Sequence, residues 1–149
     1  LSELADDKNT NYKEIFHFNL KNISKDDKTA QTSISYLTRQ ALNPERCQEL
    51  FTNQVLLEIC DLIGTSSSPY QTRIGCCNII SVSLIHGSAK GLEQDALGKL
   101  LKTFHKKDRQ EVKIEIFNIL LLNLEKSKGL PLNEVDFLIE KMPMKVNLL

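Results

Sequence analysis

The sequence carries no excess of charge of either sign. Nineteen Lys and Arg residues meet nineteen Asp and Glu residues, for a formal net charge of zero at pH 7. A chain built mainly to grip a phosphate backbone normally carries a clear basic surplus, so nucleic acid is not the expected partner of the chain as a whole. No apolar run approaches the length of a membrane span, and no signal-peptide pattern opens the chain. It starts at Leu1 and ends in the apolar "KVNLL", and is expected to be a piece of a longer protein.

Paired metal ligands are missing as well. Cys47, Cys60, Cys76 and Cys77 lack C-x-x-C spacing, and His17, His86 and His105 are scattered. Each cysteine falls inside an apolar helical pattern, where a free thiol behaves as a small buried hydrophobe. No metal or cofactor is expected, and the compartment is expected to be reducing, cytoplasm or nucleus. The sequon "NIS" at 22–24 points the other way, but so short a pattern arises by accident.

Catalytic motifs are equally scarce. There is no H-E-x-x-H, no glycine-rich phosphate loop and no G-x-S-x-G. Cys77 and His86 lie nine positions apart on one helix, on opposite sides, and cannot form a nucleophile–base pair. Neither an enzyme nor a small-molecule substrate is expected.

What is present is helix. With 41% apolar and 26% charged residues, the 149-residue chain reads as one globular domain able to bury its own core. Apolar residues recur with helical spacing over 11–23, about 29–42, 44–51, 54–63, from Ser68-Pro69 to about 86, 95–105, from Asp108 to about 126, and 133–142. Asn43-Pro44 and Ser68-Pro69 read as cap-plus-proline starts, and Asp108 with Glu111 reads as a capping box.

The helices also repeat. "TRIGCCNIISVSL" at 72–84 and "VKIEIFNILLLNL" at 112–124 share Ile, Asn, Ile and Leu at matching positions forty residues apart. Ile34, Ile74 and Ile114 keep that interval, as do Leu57, Leu97 and Phe137. A fixed interval of this size predicts stacked helical units, each burying its apolar face on its neighbours. The units fall at about 10–42, 43–87 and 88–128, with a partial one at 129–149.

The stretch "NPERCQELFTNQVLLEICDLIGTSSSPYQTRIGCCNIISVSLI" resembles an armadillo repeat: a short first helix opening with Asn-Pro, a second of about ten residues, a polar loop and a long third helix. HEAT repeats are its near relative. The resemblance implies an all-α, right-handed superhelix of three to four repeats whose third helices form a continuous wall. In importin-like members an asparagine near the end of each third helix holds an extended peptide, and its nearest matches here are Ser83 and Asn123. No tryptophan flanks them.

With Ile74, Cys77, Ser81 and Leu84 taken as the core stripe, a turn of about 100° per residue places Gly75, Ile79, Val82 and Ser83 on the free side. The next copy offers Glu115, Ile119, Leu122 and Asn123, and the previous one Ser35 and Arg39. Arg39, Ile79, Val82, Ser83, Glu115, Ile119, Leu122 and Asn123 are therefore the candidate partner-binding residues, with an apolar ridge at Ile79, Val82, Ile119 and Leu122. The competing reading buries that ridge against adjoining repeats.

A second candidate is the basic cluster Lys99, Lys102, Lys106, Lys107, Arg109 and Lys113, with His105 among them. It suits an acidic partner or a phosphate backbone, or else a solvated loop. Ser68, before Pro69, is a proline-directed phosphorylation candidate or a plain linker. The expected function is a non-catalytic scaffold that binds another protein or peptide. Self-association and nucleic-acid binding are the alternatives.

Overall fold

In the computed structural model, which describes residues 11–25, 27–87 and 91–127, seven helices follow one another and no strand occurs among the described residues. They are α1 (Tyr12–Asn22), α2 (Asp27–Leu42), α3 (Pro44–Leu50), α4 (Asn53–Ile63), α5 (Tyr70–His86), α6 (Gln94–His105) and α7 (Gln110–Ser127). The helix expected at 133–142, with Phe137, lies outside the described residues.

Local chemistry sets several of these boundaries. Asn43 accepts the Arg46 N–H at 3.2 Å and Pro44 occupies the first turn of α3. Thr52 accepts the Val55 N–H at 3.3 Å, so the "TN" pair that separates α3 from α4 is also the cap of α4. Two expected starts differ. α5 begins at Tyr70 with Pro69 at its boundary and no side-chain cap, so Ser68 does not cap it. Asp108 has its carboxylate engaged by Arg73, an electrostatic demand stronger than a capping box.

The long helices lie side by side. α5 packs against α2 on one flank and α7 on the other, with α4 and α3 against it, while α4 packs against α6. α5 and α7 are tied at both ends. Near their starts Arg73 holds Asp108, and near their ends the Lys126 ammonium donates to the Ile85 carbonyl at 3.4 Å. Start meets start and end meets end, so the two helices run parallel.

Several side-chain links join helices 35 to 42 residues apart. Tyr12 to Glu49, Cys47 to Ser83, Arg73 to Asp108, Lys106 to Gly64 and Lys126 to Ile85 span 37, 36, 35, 42 and 41 residues. Along the chain α2 touches α5, α5 touches α7, and α4 touches α6. The core between them is continuous, from Phe16 and Leu20 through Leu37, Ile59 and Ile80 to Leu100, Phe104 and Ile116.

Candidate interaction face

Half of the expected ridge is not on the surface. Ile79 and Ile119 have 0% of their surface exposed, and Ser83 and Asn123 are buried with them. The reason lies in the surroundings of α5. With α2 and α7 on its flanks and α3 and α4 beside it, three of its sides are covered, and a helix apolar nearly all round is a buried one.

Ser83 and Asn123 serve their own chain. The Asn123 side-chain oxygen accepts the Leu92 N–H at 2.6 Å, fixing the segment that leads into α6. The Ser83 hydroxyl donates to the Ile80 carbonyl at 2.9 Å, and its own carbonyl lies 3.7 Å from the Cys47 thiol. Neither presents a free amide or hydroxyl to a bound peptide.

A narrow stripe of α5 does reach solvent. Gln71, Asn78 and Ile85 are exposed at seven-residue spacing, flanked by the half-buried Ile74, Gly75, Ser81 and Val82. Forty residues on, α7 repeats the pattern: Glu111, Asn118, Leu121 and Glu125 are exposed, and Ile114, Glu115 and Leu122 are half-buried. Of the candidate residues, Val82, Glu115 and Leu122 therefore lie on this outward stripe. Leu121, forty residues after Ser81 of the expected core stripe, is 44% exposed, and Ile85 is 52% exposed. Arg39 is exposed on α2 with Thr32 and Ser35; Ser35 falls at the position equivalent to Gly75, whereas Thr32 and Arg39 match the buried Thr72 and Ile79.

The stripes border an open groove of about 500 Å³ lined by Gln31, Tyr70, Gln71, Ile74, Gly75, Asn78 and Glu115. Gly75 fixes its floor. A β-carbon there would lie 2.8 Å from Cδ1 and 2.9 Å from Cγ2 of Ile34, so only glycine admits this approach of α2 to α5. Gln31 Nε2 is shielded from solvent and has no hydrogen-bond partner, which leaves a donor unused at the rim. The Arg109 guanidinium stacks 3.9 Å over the Tyr70 ring at the edge of the groove.

Beneath one end lies the best-defined electrostatic feature of the chain. Arg73 and Asp108 are 2% and 4% exposed and form a two-pronged pair at 2.9 and 2.7 Å. Arg73 Nε donates to the Ile63 carbonyl at 2.8 Å, and the Arg109 N–H donates to Asp108 at 2.7 Å. The Arg73 hydrogen bonds hold the Asp108 carboxyl down at about 2, against the opposing effect of burial. This pair clamps α5 to α7 and is a structural element.

The basic cluster does not stay together. Lys99, Lys102 and Lys106 line a small cavity of about 160 Å³ between α4 and α6. There Lys99 pairs with Asp61 at 3.0 Å and Lys106 donates to the Gly64 carbonyl at 3.0 Å, at the end of α4. Cations are at home beside helix C-terminal carbonyls. Arg109 turns to Tyr70, and the Lys113 ammonium lies 5.8 Å from the Phe104 ring. Lys107 is exposed in the turn before α7.

All four cysteines are free and buried. Burial pushes the thiols up, to about 11 for Cys47 and about 12 for Cys60 and Cys76, and raises Cys77 as well. They are packing atoms held as thiols, not nucleophiles. Among the described residues no group of three or more metal-ligating side chains converges, and no helix is long and apolar enough to cross a membrane.

No family model, no curated protein and no solved structure matches this chain. Sequence reasoning missed Gln71, Asn78, Ile85 and Asn118. The signal was there: Asn78 and Asn118 are polar residues at the same step of two otherwise apolar helices, which is where a solvent stripe belongs.

Proposed function

We propose that the chain is a non-catalytic interaction scaffold: a right-handed superhelical stack of armadillo-like repeats whose long helices α2, α5 and α7 bind a segment of another protein. The observation that carries this reading is the outward stripe that recurs at the same seven positions of α5 and α7 and borders an open groove. Links that span 35 to 42 residues support the stacked arrangement. So does the succession of 7-, 11- and 17-residue helices in the middle unit.

The mechanism is equilibrium binding. A wall fixed by its own core presents contacts in place, so ordering costs fall mainly on the partner. Free thiols held in the core suit a reducing compartment, cytoplasm or nucleus. The apolar Ile85 and Leu121 would also suit a second copy of the chain, and sedimentation of the isolated protein separates the two cases.

The test is capture from cell extract by wild type and by the Ile85→Glu, Leu121→Glu double variant, with helical spectra compared. Both positions are exposed, so the fold is expected to persist and capture to disappear. Undiminished capture by a folded double variant would remove this face from the proposal.

A further inference from the structure

The face has two unlike halves. Toward the helix starts it is lined by amides and carboxylates: Gln31, Gln71, Asn78 and Glu115. Toward the ends it is apolar, with Val82, Ile85, Leu121 and Leu122. The charge on the stripe positions themselves is acidic, with Arg109 and Lys126 at their borders. The outward stripe of α7 carries Glu111, Glu115 and Glu125, and the stripes of α5 and α7 carry no Lys or Arg.

Some of that charge is already met. Arg109 lies 4.0 Å from Glu111. Lys126, beside Glu125, has its ammonium turned to the Ile85 carbonyl. Glu115 and Glu125 form no ion pair among the described residues. They stand ten positions apart on one helix, about 15 Å along its axis, with Leu121 and Leu122 between them.

We propose that the partner segment is a basic amphipathic helix lying along the outward stripes of α5 and α7, from the open groove at Glu115 to the apolar end. Its apolar side rests on Val82, Ile85, Leu121 and Leu122, and its two cationic positions, about 15 Å apart, meet Glu115 and Glu125. A helix fits better than an extended strand. In the apolar half the outward side chains Val82, Ile85, Leu121 and Leu122 carry no donor or acceptor for a strand's backbone, and a helix satisfies its own. The cations lie on either side of the partner's apolar residues, so an acidic or uncharged helix of the same apolar pattern is discriminated against. This inference rests on the scaffold reading above.

The test selects binders from a random displayed library of 17-residue peptides, the length of α5, against the full chain. Enriched sequences are expected to carry Leu, Ile or Phe flanked by Lys or Arg about ten residues apart. Measured by fluorescence anisotropy, the affinity of a synthetic enriched peptide should fall at least about tenfold in Ile85→Ser, Leu121→Ser. It should fall similarly in Glu115→Lys, Glu125→Lys, and should weaken as salt is added. Binders lost with the apolar variant but indifferent to charge reversal would overturn the basic partner while leaving the scaffold reading in place. Binders indifferent to both variants would overturn both, and a selection that enriches nothing would overturn the helix as occupant. A dimer in sedimentation that Ile85→Ser, Leu121→Ser abolishes would assign the face to a second copy, and the proposal would fall.

Discussion

Two junctions join α2, α5 and α7, and they use equivalent positions to opposite ends. Between α2 and α5, Gly75 lies against Ile34, and the missing side chain lets the helices close. Forty residues on, the same pair reads Ile74 and Glu115, and both side chains line an open groove. The second junction is held at its ends instead, by Arg73 with Asp108 and by Lys126 on the Ile85 carbonyl. Gly75 thus brings α2 close against α5 and forms the floor of the groove, whereas Ile74 and Glu115 line its wall. End clamps free the middle of a junction from having to close.

The sharpest way to break this contrast is to charge its buried and exposed positions in turn. Ile79→Glu or Ile119→Glu places an unpaired carboxylate where nothing reaches solvent, and should cost several kcal/mol and abolish cooperative thermal melting. Ile85→Glu, six residues after Ile79 along α5, should melt close to wild type. Equal melts for the two would erase the assigned boundary between core and face.

Next in size is the clamp. Asp108→Ala leaves the buried Arg73 guanidinium unpaired and should lower unfolding free energy by about 3–5 kcal/mol in urea titration. An exposed pair such as Lys99 with Asp61 should contribute at most about 1 kcal/mol. A small loss at Asp108 would mean that the α5–α7 junction closes without its clamp.

The same carboxylate gives an acid dependence. Its pKa in the folded chain, about 2, lies below the ordinary value of 3.8, so its stabilisation is fully present above about pH 4 and lost as pH falls through about 2. The contribution is about 2 kcal/mol. Urea midpoints measured down the acid range should fall more steeply for wild type than for Asp108→Asn. Parallel curves would show that Asp108 titrates alike in folded and unfolded chains.

The glycine tests the contrast directly. Gly75→Leu should destabilise by about 1–3 kcal/mol by forcing Ile34 aside, with partial recovery when Ile34→Ala is added. Glu115→Ala, at the equivalent position of the open junction, should leave the thermal midpoint within error of wild type. Leu121→Ala is likewise expected within about 0.5 kcal/mol of wild type because the side chain is already half in solvent. Phe117→Ala in the core should cost about 3–5 kcal/mol.

Much of the architecture was legible in the residues. The Asn43-Pro44 start, the polar loop before α5 and the forty-residue interval led to helices that the structure places within one to three residues. Phasing α5 was another matter. Ile74, Cys77, Ile79, Ile80 and Leu84 cover most of its circumference, so periodicity could not say which arc met solvent. Its apolar residues misled, while the sparse polar ones, Gln71 and Asn78, marked the arc. The Arg73–Asp108 clamp was illegible for a different reason. Its partners are 35 residues apart and each sits in a polar-looking context, so only the stacking of α5 on α7 makes them neighbours. Cys47, Cys60, Cys76 and Cys77, by contrast, were readable one by one, because a free thiol in an apolar helical pattern has few other places to go.

The most direct measurement is capture of a binding partner by the intact chain with Ile85 and Leu121 replaced by Glu, against wild type, at matched folded fraction. The account predicts that the double variant keeps its helical spectrum and thermal midpoint and loses the partner. A folded double variant that holds its partner as tightly as wild type would contradict it.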